Sequence, residues 1–244
     1  MPRTPVNRQL IVDIGMSEGN DSDYYLRKGF DVLGIEADPI MYQNLRSRFS
    51  APISEGRMTI LNRAAAEKNG TTVRFFRNVS VQGHSRVLGE NAEDPAPGDV
   101  TQVETIDWSQ IVRHAGVPYY SKIDIEGSEP VFLRSLVGSP GLPTYISAEI
   151  HTFEPVEMLF QAGYRRFKVI NQSRPHLFTQ PNPPLEGTYV EAARWNHSSG
   201  PFGRELPGNW VDFREAAVLF EIIHQARQRL HMWDWFDVHA HLPE

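Results

Sequence analysis

Leu10-Ile-Val-Asp-Ile-Gly-Met-Ser-Glu-Gly-Asn-Asp21 decides the fold. Five residues from Leu10 to Ile14 form an apolar run broken only by Asp13, as a buried strand requires. Gly15 ends the run, and Asp21 to Lys28 offers an amphipathic helix with an Asp or Ser cap that stops at Gly29. A second apolar run, Phe30 to Ile35, closes on Glu36-Ala-Asp-Pro39. Asp38 is placed to cap a helix whose first turn holds Pro39 and whose inner positions are Met41, Leu45 and Phe49. Strand, helix and strand in this order make a parallel βαβ unit.

The same alternation continues outward. Met58–Leu61, Thr72–Phe76, Val103–Ile106, Tyr119–Ile125, Tyr145–Ile150 and Phe167–Ile170 read as strands, and Trp233–Ala240 as a closing strand. Helices are expected at Trp108–His114, at Glu129–Leu136 with Val131, Phe132, Leu133 and Leu136 inward, at Val156–Ala162, and at Glu215–Leu230 with its apolar stripe at 216, 219, 220, 223 and 230. Residues 77–99 lack any period and read as a long loop. Residues 173–210, dense in proline and glycine but carrying Phe178, Trp195 and Phe202, read as a lid-like insertion that packs. The expected architecture is α/β: one domain over 1–244, built on a Rossmann-like sheet with helices on both faces.

Composition narrows the chemistry. With no cysteine among 244 residues, a disulfide framework, a thiolate zinc site and a cysteine nucleophile are all excluded. A net charge of −6 argues against broad capture of nucleic acid or an anionic membrane. Met1 to Gln9 has no secretory apolar run, and no stretch is long and apolar enough to span a membrane, so a cytoplasmic location is expected.

The loop after the first strand has the spacing D-x-G-x-x-x-G, with Ser17 where a dinucleotide fingerprint wants glycine. Asp13, Glu18 and Asp21 surround it with carboxylates. These would repel a pyrophosphate, whereas the ammonium and sulfonium of S-adenosylmethionine are attracted. Glu36, twenty-one positions after Gly15 at the end of the second strand, is placed to accept hydrogen bonds from both ribose hydroxyls. Asn62-Arg-Ala-Ala65 falls where an adenine edge would lie. Lys122-Ile-Asp-Ile-Glu-Gly-Ser-Glu129 ends a central strand, at the crevice where open α/β sheets bind ligands. Asp124 and Glu126 there could orient cofactor or substrate, while Glu129 reads as an acid complementing a helix dipole. Glu149 and His151 share one side of the next strand's end and can converge. Asp124, Glu149 and His151 could also ligate a divalent metal, although the metal-free reading is preferred. Asn182-Pro-Pro-Leu185 lacks the aromatic of an amino-methyltransferase loop, and His224, His231, His239 and His241 are too scattered for a ligand set.

Four segments taken together resemble the FkbM-type branch of the class I S-adenosylmethionine-dependent methyltransferases: VDIGMSEGN at 12–20, GIEADP at 34–39, NRAAA at 62–66 and KIDIEGSE at 122–129. The resemblance implies a seven-stranded, mostly parallel sheet with an antiparallel last strand. It implies cofactor contacts from Asp13, Gly15, Ser17, Gly19, Asn20, Glu36, Ala37, Ala64 and Ala65, with Asp124 facing the methyl-transfer site. It also implies O-methylation of a small molecule, natural product or sugar. Asp124 or His151 would then accept a proton, and Glu149 would orient its partner. The expected partner is a small-molecule or glycan acceptor rather than nucleic acid or membrane, and the aromatic content allows a homodimer. The alternatives are an NAD-dependent oxidoreductase on the same fold and a non-catalytic binding module.

Overall fold

The computed structural model describes residues 4–78, 85–89, 92–93, 100–174, 178–191, 198–231 and 234–243. The elements run β1 (Val6–Ile14), α1 (Asn20–Arg27), β2 (Asp31–Glu36), α2 (Pro39–Arg48), α3 (Ser50–Ser54), β3 (Met58–Asn62), β4 (Ala64–Ala65), β5 (Thr72–Phe76), β6 (Arg86–Val87) and β7 (Val100–Ile106). They continue with α4 (Trp108–Ala115), β8 (Val117–Ile123), α5 (Glu129–Leu133), β9 (Tyr145–Glu149), α6 (Glu154–Ala162), β10 (Arg166–Asn171), α7 (Phe213–Leu230) and β11 (Phe236–His241).

The main sheet has seven strands in the order β10-β11-β9-β8-β1-β2-β3. The pairs from β3 across to β9 are parallel, and β11 runs antiparallel to both β9 and β10. The expected Rossmann-like sheet with its reversed last strand is therefore present. Thr72–Phe76 and Val103–Ile106, read from sequence as strands like the rest, instead pair with each other in a small second sheet, β4-β7-β5-β6, where the second of them starts earlier, at Val100. Val100–Ile106 alternates exposed Gln102 and Glu104 with buried Val103 and Thr105, and Thr72–Phe76 buries only Phe75 fully, which suits a sheet with one wet face rather than a doubly covered one.

Two apolar cores flank the main sheet. One face carries Val12, Ile14, Leu33, Ile35 and Ile123 under α4, α5, α6 and α7. The other carries Ile11, Val32, Tyr119, Tyr120 and Tyr145 and meets α1, α2 and, through Val190, Phe202, Phe178 and Trp210, the 173–210 segment. The stretch read as a lid is thus, in its described parts, a packed layer of the fold. Phe202 is fully buried, stacked on Tyr120 at 4.7 Å and edge-on to Tyr25 at 5.4 Å. Lys28, at the end of α1, reaches into this layer and pairs with Glu205 at 2.9 Å, both side chains fully shielded from solvent. Trp195 and Trp233 lie outside the described residues, as does most of the 77–99 loop.

Local expectations hold where the signal is local. Asp38 caps α2 by accepting the Ile40 and Met41 amides at 2.8 and 3.3 Å. The cap of α1 differs: Gly19, in the left-handed region at φ 81°, takes that place, and Asp21 is drawn inward instead. Helix α5 passes into a 3-10 turn over Arg134–Leu136, and Val131, expected inward, is 42% exposed while Phe132, Leu133 and Leu136 are buried. On α7 only Ala216 is fully buried, and Leu219 and Leu230 face solvent.

Candidate active site

The carboxyl ends of β1, β2, β8 and β9 lie side by side, and the sequence places a polar group at each. Asp13 is fully buried on β1, in register with Lys122 of β8. Its Oδ2 accepts the Ser22 hydroxyl at 2.6 Å, and its Oδ1 has no partner. Burial lifts the Asp13 carboxyl to about 7, against the pull of Lys122. Lys122 is the hub of this region. Its Nζ sits 3.0 Å from Asp124 and 3.4 Å from Asp21. Burial works against its charge, but those two carboxylates, with Asp13 and Asp237 behind them, hold the ammonium well above its ordinary range. Asp237, buried on β11 and bonded to Gln172 at 2.9 Å, is itself held strongly toward the neutral form by burial.

The glycine loop is shaped by contacts that exclude side chains. Gly15 has φ 82°, and a Cβ there would lie 1.7 Å from the Asp124 carbonyl oxygen. The strands are closed tightly at this point by the Asp124 amide donating to Ile14 O at 2.9 Å and the Gly15 amide donating to Ile35 O at 2.9 Å. Ser17 also adopts positive φ, 50°, and its amide donates to Glu36 Oε2 at 3.0 Å. The other oxygen, Oε1, accepts the Asp38 amide at 2.8 Å. Glu36 is buried, and that burial raises its carboxyl to about 7. Each oxygen keeps a second lone pair with which to accept a hydroxyl. Asn62 supports this corner by donating to the carbonyls of Glu36 and Ala37.

The other expected cofactor residues separate into two groups. Asn20 begins α1 and accepts Arg48 Nη1 at 3.0 Å beside the loop. Ala64 and Ala65 are 1% and 7% exposed, paired to β7, and Ala37 packs against Ala64, Phe75 and Val103. Ala64 and Ala65 are thus strand residues of the second sheet.

Beyond the Lys122 hub the crevice turns acidic. Glu149, at the end of β9, holds His151 Nε2 at 3.1 Å, and that hydrogen bond raises the imidazole's affinity for its proton. Asp124, Glu129 and Glu149 present oxygens within 4.8 Å of one another. That trio has Glu129 where the expected Asp124, Glu149 and His151 set has the histidine, and His151 joins it through its hydrogen bond to Glu149. Glu129 was assigned to the helix dipole, yet it is 1% exposed and folds back to accept the Ile125 amide at 2.8 Å. The signal was its four-residue spacing from Ile125 across Gly127, which bends the chain back on itself. Glu126, in the left-handed region at φ 55°, is raised to about 8 by burial and by the neighbouring Asp124 and Glu149.

The methyltransferase FkbM domain family matches residues 13–166, which take in all four of these strand ends. The chain belongs to the FkbM methyltransferase family. Among solved structures it is similar to the FkbM methyltransferase of Methylobacillus flagellatus KT, at 21% identity over 67% of this chain with a TM-score of 0.42. It is also similar to an S-adenosylmethionine-dependent O-methyltransferase of Thermotoga maritima, at 10% identity over 98% of this chain and 61% of the other, TM-score 0.43. A precorrin-6y C5,15-methyltransferase of Geobacter metallireducens GS-15 matches at 8% identity over 98% and 82% of the two chains, TM-score 0.42. The chain spans 40% of the length of the Methylobacillus FkbM protein. No curated protein matches it. The residues of this FkbM domain fit the family's cofactor, S-adenosylmethionine. The orphaned Oδ1 of Asp13 lies buried beneath the Gly15 loop, and Glu36 stands across from it with acceptor capacity to spare.

Proposed function

We propose that the protein methylates a hydroxyl oxygen of a small molecule or glycan at the crevice formed by β1, β2, β8 and β9. The observation that carries the reading is the Glu149–His151 pair, set at the strand end next to Asp124 and the glycine loop. Bound S-adenosylmethionine would supply an electrophilic methyl group, with its sulfonium sulfur departing as a neutral thioether when the acceptor oxygen takes the methyl in line. Everything else is positioning by the chain. Asp13 and Glu36 hold the cofactor's ammonium and ribose ends, and both carboxyls sit close to neutral pH, so a cationic or hydroxyl partner favours their ionised forms. Gly15 keeps the loop backbone against Asp124.

His151 is the stronger candidate for the proton acceptor. Asp124 is committed to Lys122 at 3.0 Å, whereas His151 is oriented by Glu149 and 47% of its side chain is open to an acceptor. Alignment of oxygen, methyl and sulfur in a water-poor crevice supplies most of the rate, and the base adds to it. The acidic lining favours a neutral or cationic acceptor over a polyanion.

Two measurements test this. Titration calorimetry should show binding of S-adenosylmethionine and none of NAD. A screen of hydroxylated metabolites should then find turnover that His151→Ala lowers by roughly a hundredfold or more with cofactor affinity unchanged. Near-wild-type turnover in both His151→Ala and Asp124→Asn would overturn the assignment, and tight NAD binding would overturn the reaction class.

A further inference from the structure

Helix α7 carries an apolar stripe that nothing among the described residues covers. Val218 is 60% exposed, Leu219 39%, Ile222 59% and Leu230 69%, with the small Ala226 between them. The opposite side of the helix is fully used: Phe213, Ala216, Phe220 and Ile223 pack into the core above β10. On the flanks the polar side chains satisfy each other, Gln225 donating to Glu221 at 2.6 Å and Gln228 meeting His224 at 2.8 Å. The stripe between these flanks is left for something else.

Its ends carry opposite charges at equal distance from its centre. Glu215 precedes Ile222 by seven residues and Arg229 follows it by seven, both exposed. Seven residues are close to two helical turns, so both charges lie on the stripe's own face, roughly 10 Å to either side of Ile222. We propose that α7 is a homodimerisation surface, packing antiparallel on the α7 of a second copy about a two-fold axis at Ile222. In that arrangement Val218 faces the partner copy's Ala226, and Glu215 meets Arg229 at both ends. A parallel pairing would set Glu215 on Glu215 and Arg229 on Arg229, so the charge pattern selects the antiparallel two-fold. Such an interface is self-complementary and closes as a dimer, without open polymerisation. The helix carries three arginines and two glutamates, a near balance that suits a copy of itself better than an anionic membrane or a strongly charged partner.

The test is sedimentation equilibrium of the full chain, alone and in mixtures. The wild type should show a reversible monomer–dimer equilibrium, and Ile222→Glu, at an exposed position, should leave a folded monomer with an unchanged melting curve. Arg229→Glu and Glu215→Arg should each weaken self-association roughly tenfold, because two attractive contacts become like-charge contacts. Mixing those two variants should restore a dimer, since each then presents the charge the other lacks. The proposal is overturned by a wild type that stays monomeric at high concentration, by a dimer that survives Ile222→Glu, or by variants that fail to rescue each other. Binding of the wild type to anionic vesicles that Ile222→Glu abolishes, with no dimer formed, would also overturn it and assign the stripe to a membrane.

Discussion

Lys28→Met tests how the 173–210 segment is held. Lys28 Nζ donates to both oxygens of Glu205, at 3.1 and 2.9 Å, and also to Gln180 Oε1 and the Thr188 carbonyl at 3.2 and 3.3 Å. Both charged side chains are wholly out of water. When the ammonium is removed Glu205 keeps neutral donors, among them the Leu185 and Glu186 amides at 3.0 and 3.1 Å. Neutral donors do not replace a full charge in a site with no solvent. Breaking a buried pair by removing one partner costs about 3–5 kcal/mol, a large fraction of the stability of a domain this size. The double change Lys28→Met with Glu205→Gln should recover more than half of that loss. A neutral amide still accepts the two backbone donors and leaves no uncompensated charge. Equilibrium urea unfolding followed by tryptophan fluorescence reads the effect. With a slope of about 2–3 kcal/mol/M, the single variant should lower the midpoint by roughly 1–2 M without changing the slope. A single variant within about 1 kcal/mol of wild type, or a double variant no better than the single, would refute the argument that this pair clamps the layer.

Two further outcomes follow from the site. Gly15→Ala sets a Cβ into the Asp124 carbonyl at a left-handed φ and should cost both stability, about 2–4 kcal/mol, and at least tenfold in cofactor affinity. Gly138→Ala, at the same φ region with open space around it, should cost only about 1 kcal/mol and leave affinity alone, and equal losses in both would discount the contact with Asp124. The second concerns pH. Because the Glu149 hydrogen bond raises the His151 imidazole above its ordinary value, a base at this position is protonated and idle below that raised value. Activity should therefore rise as pH increases through it. Glu149→Gln removes the cause, so the rising limb should move to lower pH, and an unmoved limb would take His151 out of the proton transfer.

Much of this fold was legible because the signals were local. The apolar runs at Leu10–Ile14 and Tyr145–Ile150 can only be strands of this length between turns, and Asp38-Pro39 announces a helix start through contacts within four residues. Gly15 and Gly19 marked the loop because their positive φ values admit little else. What stayed hidden depended on distant partners. Lys122 was visible in its motif but had no assigned role, since its meaning comes from Asp21, Asp13 and Asp237 on three other elements. The pairing of Ala64 and Ala65 with β7, which arrives from forty positions away, leaves no local mark in their run of small residues. Glu129 was hidden for the opposite reason. An acid at a helix start already has a local role there, and only its burial and its bond to the Ile125 amide show the other one.

Chain synthesis meets a particular difficulty in the stacking of Phe202 on Tyr120. The aromatic face of the central strands is complete once Tyr145 has been made, but its cover is encoded nearly sixty residues later, between the last two strands of the sheet. At roughly 5–20 residues/s, a translating ribosome exposes that face for several seconds. During those seconds the nascent chain carries Tyr25, Tyr119, Tyr120 and Tyr145 unshielded, a binding surface for holdase chaperones and a hazard in their absence. The domain therefore cannot finish folding vectorially: its second core closes only when the segment around Phe202 has left the ribosome.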